Sequence, residues 1–325
     1  MIQNKNIPLL VVGAGSIGER HIGILKKMGY KNIHVFRQRN LPLRNITEDT
    51  VHIFTDWNEI KTIRPLAAFI CTPTSKHLAQ AIDCAGMGIH LLVEKPLAEN
   101  ISGLKELKKV VVENKVYLQV AYMLRFHPLM QKMKEYVASN IYGNLLNFQT
   151  YWGEYLPDWH PWENYRKSYA ARRELGGGAA LTLSHDIDLV MWLTNNEIRQ
   201  YNTIKNYRSL LEVNVESAVD INFQFENGIT GHSHLNFFEK SPKRNYRFIF
   251  ENTSVEIDYF KNGMNIFNAG EHQTIRVENF DRNQMFDDQS NFFLSKIDDF
   301  NLSESMKQIA DSEMIIKICC QQTNK

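Results

Sequence analysis

Residues 9–23, LLVVGAGSIGERHIG, constrain this chain more than any other stretch. Leu9–Val12 is an apolar, partly β-branched run that suits a buried strand. Gly13, Gly15 and Gly18 follow at G-x-G-x-x-G spacing, and Ile17, Ile22, Ile24 and Leu25 then fall at near-helical spacing. A strand, a glycine turn and a helix start are the setting in which this spacing makes an anion cradle. Gly13 permits the tight turn, Gly15 lets backbone approach a pyrophosphate, and Gly18 lets the helix pack on the strand. The amides at the helix start, those of Ser16 and Ile17 among them, then face the anion. The bare spacing is a weak signal. Its place between a strand and a helix favours a bound dinucleotide over a plain turn.

The next hundred residues alternate strand and helix. Apolar patterning predicts strands at 32–36, 66–71, 89–93 and 116–121, and helices over 76–86 and 101–114. Alternation at this pitch implies an α/β fold, with a doubly wound parallel sheet and helices on both faces. From about Tyr122 the texture changes. A helix is predicted over 126–137, and then longer strands carry hairpin signals. The runs 215–225 and 229–238 are joined through Asn227-Gly228, a strong hairpin cue. Another pair, 246–250 and 254–258, turns around Asn252-Thr253, and 303–319 is again helical in pattern. With 325 residues, two domains are expected. The first, 1–121, is a Rossmann domain. The second, 122–325, is an α+β domain with a large open, mostly antiparallel sheet. The helix over 303–319 is a candidate to pack back on the first domain.

Composition closes other routes. Lys plus Arg is 37 and Asp plus Glu is 36, so charge points to neither nucleic acid nor an anionic membrane as partner. No apolar run of about 18 residues calls for a membrane span. The start, MIQNKNIPLL, lacks the apolar stretch of a secretion signal. The four cysteines, Cys71, Cys84, Cys319 and Cys320, show no C-x-x-C spacing, and reduced thiols in a cytoplasm are the simple reading. The 11 histidines include no H-x-x-x-H on a convincing helix. His232 and His234 alternate along a strand and share one face, so no metal site is expected.

In a doubly wound sheet, ligands bind beyond the carboxyl ends of the strands. The second strand ends in Arg37-Gln38-Arg39, with no carboxylate until Glu48. Asp or Glu at such a position binds the ribose hydroxyl of NAD, whereas Arg accommodates the phosphate of NADP. The reading is NAD(P), leaning to NADP, with a solvated or adenine-stacked Arg37 as the alternative. After Cys71 comes Thr72-Pro73-Thr74-Ser75-Lys76-His77, which offers hydroxyls beside the cofactor path. Thr74 or Ser75 also suits a plain helix cap. After Val93 comes Glu94-Lys95-Pro96, where a Lys at the mouth of the sheet is either a charged donor to substrate or a surface lysine.

GAGSIG, CTPTSKH, VEKPLA and LGGGAALTLSHDID, in that order along most of the chain, resemble the glucose–fructose oxidoreductase/inositol dehydrogenase/MocA family. The resemblance implies NAD(P)-dependent oxidation or reduction of a sugar or cyclitol carbinol. It implies cofactor contacts from Gly13, Gly15, Ser16, Ile17, Gly18, Arg37, Thr72, Pro73, His77, Glu94, Lys95 and Pro96, with Pro96 as the family's cis-proline. Lys95 matches the family's active-site lysine and His185 the histidine at the centre of the second domain. The stretch 121–128, AYMLRFHP, resembles the family's N-x-R-F-x-P segment and implies substrate contacts from Tyr122 and Arg125. One departure stands out. Many members carry an Asp a turn before the histidine, and this chain has Thr182 near that place. Asp188 fits the family's H-x-x-D.

Hydride transfer from a secondary alcohol needs a base for the hydroxyl proton and a donor for its oxygen. His185 can exchange a proton at neutral pH, Lys95 supplies positive field, and the two roles are exchangeable. Substrate contacts are expected from Thr182 and His185, and from Trp162 and Arg166 in the segment 151–173. Its aromatic residues and arginines fit neither helical nor strand spacing, which predicts an ordered loop. Aromatic faces suit sugar rings and guanidiniums suit phosphate; packing between subunits is the alternative. The segment resembles a bacterial surface-polysaccharide and amino-sugar branch, which implies a nucleotide-activated sugar such as a UDP-N-acetylhexosamine oxidised at C3. A catalytically silent NAD(P)-binding regulator, and transient oxidation by a tightly held cofactor, are the competing functions. A homodimer or homotetramer through the second sheet is expected.

Overall fold

The computed structural model describes residues 4–38, 43, 44 and 46–321. They form two compact units: 1–123 with 283–313, and 124–282 with 314–325.

The first unit is built on β1 (Leu9–Val12), α1 (Ser16–Lys27), β2 (Ile33–Phe36), β3 (His52–Phe54), α2 (Ile60–Ile63), β4 (Ala67–Ile70), α3 (Thr74–Gly86), β5 (His90–Val93), α4 (Leu104–Glu113) and β6 (Leu118–Val120). Its six strands pair in the order β3-β2-β1-β4-β5-β6, all parallel. Both faces of a parallel sheet are covered, and β1 accordingly has all four side chains at 0 % exposure. Each such aliphatic contributes roughly 1.5–3 kcal/mol by burial. The order reverses between β1 and β4, which is where ligands of this architecture bind.

The second unit carries α5 (Pro128–Ser139), β7 (Leu145–Tyr155), α6 (Ala179–Thr182), α7 (His185–Thr194), β8 (Ile198–Asn206), β9 (Ala218–Phe225), β10 (Thr230–Asn236), β11 (Phe238–Phe250), β12 (Thr253–Asp258), β13 (Gly263–Asn268) and β14 (Glu271–Arg276). Its eight strands run β14-β13-β12-β11-β7-β10-β9-β8. Every pairing is antiparallel except β7 with β10. The expected parallel sheet and mostly antiparallel second sheet are both present. The start of the 151–173 segment is strand rather than loop, because β7 runs to Tyr155.

Two helices close the chain. In the first unit, α8 (Asn283–Lys296) sets Phe293 edge-on to Phe69 and stacked on Tyr117. The last helix, α9 (Leu302–Cys320), contributes to both units. In the first, its Ser305 hydroxyl accepts from the amide of Leu118 at 3.0 Å. In the second, Thr203 donates to the carbonyl of Ile318 at 3.0 Å. Among the described residues no helix is long and apolar enough to cross a membrane.

Candidate active site

In the first unit the glycine turn has the geometry that its spacing predicts. Gly13 sits at φ +94°, in the left-handed region. A Cβ there would lie 3.0 Å from the carbonyl of Cys71, so the ends of β1 and β4 meet at this point. A Cβ at Gly18 would collide with the carbonyl oxygen of Gly13, so α1 packs on the turn only with glycine there. Gly15, by contrast, has nothing within 4 Å of its would-be Cβ. It is the N-cap of α1 and no side chain caps this end. Among the described residues no side chain accepts from the first amides of α1, those of Ser16 and Ile17, which stand next to open space. That is a cradle fitted to a diphosphate.

At the end of β2, Arg37 is buried. Its Nη1 lies 3.0 Å from Oε1 of Glu48, and that hydrogen bond holds the Glu48 carboxyl below the usual range. The carboxylate missing from the end of the strand is thus supplied 11 residues later. Arg39, its companion in the sequence, lies outside the described residues.

Beyond β4 and β5 a strut holds two turns together. His77 is 1 % exposed. Its Nδ1 is 2.8 Å from the carbonyl of Pro96 and its Nε2 is 2.7 Å from that of Thr72. Burial pushes its pKa down against the pull of both carbonyls. A neutral imidazole donates to only one of these carbonyls, but both nitrogens face protein oxygens, so the ring holds Thr72 and Pro96 in place. Thr72 donates through its hydroxyl to Gln80 at 2.6 Å. The Lys95–Pro96 peptide bond is cis, as the resemblance implies. Glu94 completes the turn. One of its oxygens accepts the backbone amide of Lys95 at 3.3 Å, and the other lies 3.2 Å from Nε2 of the buried His21. His21 is hard to find from the sequence. Its one signal is a polar residue on the core-facing side of α1, beside Ile22 and Leu25.

In the second unit, His185 opens α7 and is 5 % exposed, its ring 6.0 Å from that of Trp152. Thr182 is buried one turn earlier, at the end of α6. The glycine triplet before them is a point of close backbone approach rather than a flexible turn. A Cβ at Gly177 would strike the carbonyls of Tyr169, Ala170 and Arg172, and one at Gly178 would strike the Glu216 carboxylate. Glu216 accepts the amide of Ala180 at 3.2 Å, and burial pushes its pKa up. Asp186 and Asp188 occupy the first turn of α7, where carboxylates suit the helix dipole. Asp188 takes Arg125 in a two-point pair, Nε at 2.9 Å and Nη2 at 2.5 Å.

Thr182 and His185 therefore stand together, and Arg125 is bound to the same helix. Trp162 and Arg166 lie on a run of short turns. Trp162 is 67 % exposed, and Arg166 pairs with Glu212. Tyr122, the last of the expected substrate contacts, is buried in the first unit. His232 and His234 share a face as expected, both directed at one oxygen of Asp220. Among the described residues no group of three or more His, Cys, Asp or Glu is arranged to hold a metal ion.

Residues 7–122 match the family described as "Oxidoreductase family, NAD-binding Rossmann fold", and residues 130–256 match the "GFO/IDH/MocA C-terminal domain". The rhizopine catabolism protein MocA of Rhizobium meliloti is 25% identical over 190 residues, covering 58% of this chain and 57% of that protein. Levoglucosan dehydrogenase of Pseudarthrobacter phenanthrenivorans is 26% identical over 211 residues, covering 59% of this chain and 52% of that one. The chain spans about half the length of the curated relatives it matches. A solved levoglucosan dehydrogenase in complex with NADH superposes with TM-score 0.82 at 18% identity, over 97% of this chain and 95% of that one. The UDP-N-acetylglucosamine 3-dehydrogenase GnnA of Acidithiobacillus ferrooxidans gives 0.74 at 16% identity, over 97% and 100%. With the glycine cradle, the Glu94-Lys95-Pro96 turn and a second domain bearing His185 all matched in order, the chain belongs to the Gfo/Idh/MocA oxidoreductase family.

Proposed function

We propose that this chain is an NAD(P)-dependent dehydrogenase that moves a hydride between the nicotinamide and a sugar carbinol or ketone. The observation that carries the reading is the open, uncapped start of α1 behind Gly13 and Gly15 at the β1/β4 switch point. Once bound, the dinucleotide supplies the hydride acceptor for oxidation, or the donor for reduction. The Ser16 and Ile17 amides hold its diphosphate, and the turns at Thr72-Pro73 and Glu94-Pro96 border the rest. Lys95 donates to the reacting oxygen and His185 takes or returns its proton; these two roles are exchangeable between the residues.

For the substrate, a nucleotide-activated amino sugar is the finer reading, such as a UDP-N-acetylhexosamine oxidised at C3 in surface-glycan synthesis. Its support is the aromatic and arginine-rich segment ahead of the glycine triplet, together with the fold shared with a UDP-N-acetylglucosamine 3-dehydrogenase. A free sugar or cyclitol is the second reading, favoured by the sequence likeness to levoglucosan dehydrogenase. For the cofactor, the Arg37–Glu48 pair supports NAD over NADP, because the ribose 2′-phosphate of NADP would have to displace a carboxylate already in place. The open face of the second sheet supports pairing with another copy. It forms a shallow hollow of about 530 Å³, with Lys243 and Arg247 beside Glu256 and Asp258. Sedimentation that returned only monomer would overturn that part. Three buried cysteines among four free ones support a reducing, cytoplasmic setting.

The decisive experiment offers the purified protein NAD or NADP with a panel of free and nucleotide-linked sugars, read by absorbance of the reduced nicotinamide. Net reduction supports the dehydrogenase. Product without net cofactor change replaces it with transient oxidation, and binding without product leaves the regulator. Lys95→Ala and His185→Ala should each lower turnover by roughly 10²–10⁴-fold with the fold intact. Near-normal rates in both would sink the assigned roles.

A further inference from the structure

Arg244, on β11, is one of the largest fully buried side chains in the protein, at 1 % exposure. It lies in the second unit with every group that it meets. Its Nη2 donates to Oδ1 of Asp186, and its Nε donates to the Tyr246 hydroxyl at 2.6 Å. That hydroxyl in turn donates to the same Asp186 oxygen at 2.9 Å. The guanidinium lies over the Trp152 ring, with Cζ 3.6 Å from the ring centroid. Trp152 is the ring beside His185.

A pair buried this completely is a poor source of stability. Desolvating both charges offsets most of their attraction, and apolar replacements of similar volume are often neutral or stabilising. What such a pair does supply is direction. An α-helix turns about 100° per residue. Asp186 therefore points about 100° to one side of His185, and Asp188, three residues on, about 60° to the other. Each carboxylate is held by its own arginine, Asp186 by Arg244 and Asp188 by Arg125. The first turn of α7 is braced against rotation in both senses, and the imidazole projects between the two braces.

We propose that Arg244, acting through Asp186 and Trp152, is a positioning residue that fixes the direction of the His185 imidazole. The proposal rests on the reading of His185 as the proton-transfer group and adds the device that aims it.

The test compares the wild type with the paired variant Arg244→Met/Asp186→Leu, which removes both charges and leaves neither orphaned. Four quantities are read: the thermal midpoint, the His185 imidazole ¹⁵N resonances, assigned by their loss in His185→Gln, the turnover of the best sugar in the panel and the KM for the dinucleotide. The expected result is a midpoint near that of the wild type, with His185 resonances shifted or broadened. Turnover of the best sugar in the panel falls by about 100-fold, as for a displaced catalytic group, while the KM for the dinucleotide is unchanged. Unmoved His185 resonances with wild-type turnover overturn the proposal. If the paired variant does not fold, Arg244→Lys replaces it; it keeps the charge, loses the guanidinium that bonds both Tyr246 and Asp186, and is judged by the same outcomes. If the wild type turns over no sugar, the dehydrogenase reading fails while the resonances still decide the positioning role.

Discussion

Arg37 carries Glu48 as a partner, and that contact changes what the residue implies on its own. An unpaired guanidinium at the end of β2 would invite a phosphate, whereas one already bonded to a carboxylate repels it in part. Glu48→Gln should lower the KM for NADP relative to NAD by a few-fold, with turnover on either cofactor unchanged. An unaltered KM ratio would show that the pair does not face the ribose. Lys95 draws attention because it follows the buried run of β5, and His185 because it matches the family's histidine in order along the chain. Arg244 and His21 draw none. Each occupies a position that periodicity assigns to the core, and nothing local shows that a distant carboxylate, Asp186 or Glu94, awaits it.

At the scale of elements, five of the six strands of the first unit are legible, because short buried runs punctuated by glycines leave few alternatives; β3, three residues long, and α2, four, are too short to show a period. In the second unit, the pattern of β7 fits a loop over part of its length. Trp152 and Gly153 are both buried in succession, and the pairing of β7 with β11 shifts register between Phe238 and Lys243, so strict alternation fails there. The polar residues Asp287, Gln289 and Ser290 are buried in α8, which blurs its apolar face. The start of α6 makes a sharper prediction. Gly178 holds φ +110° against the Glu216 carboxylate, so Gly178→Ala adds both backbone strain and a collision. A loss of roughly 2–4 kcal/mol is expected, measurable by urea unfolding. A loss below about 0.5 kcal/mol would mean that the turn is not as tight as the structure draws it.

For the molecule as a whole, buried histidines set the response to acid. His127 is fully buried and its Nδ1 accepts the Leu129 amide at 3.2 Å, capping α5. Burial, helped by the charge of Arg244, lowers its pKa to about 4. Burial also lowers those of His34, His77 and His90. Below the ordinary histidine value near 6.5 the unfolded chain binds protons that the folded chain refuses. Stability should therefore be level above about pH 7 and fall from there toward pH 4, by roughly 3 kcal/mol for His127 alone. His127→Asn keeps a capping acceptor and should flatten the fall in melting midpoint between pH 7 and pH 4; an unchanged slope would acquit that ring. The parallel pairing of β7 with β10 reaches furthest. Two parallel neighbours cannot be joined by a tight hairpin. The chain between them makes a long excursion, and α6, α7 and the aromatic segment all lie within it. Descendants of this fold are free to lengthen, shorten or rewrite that excursion for new sugars while the sheet beneath keeps its register.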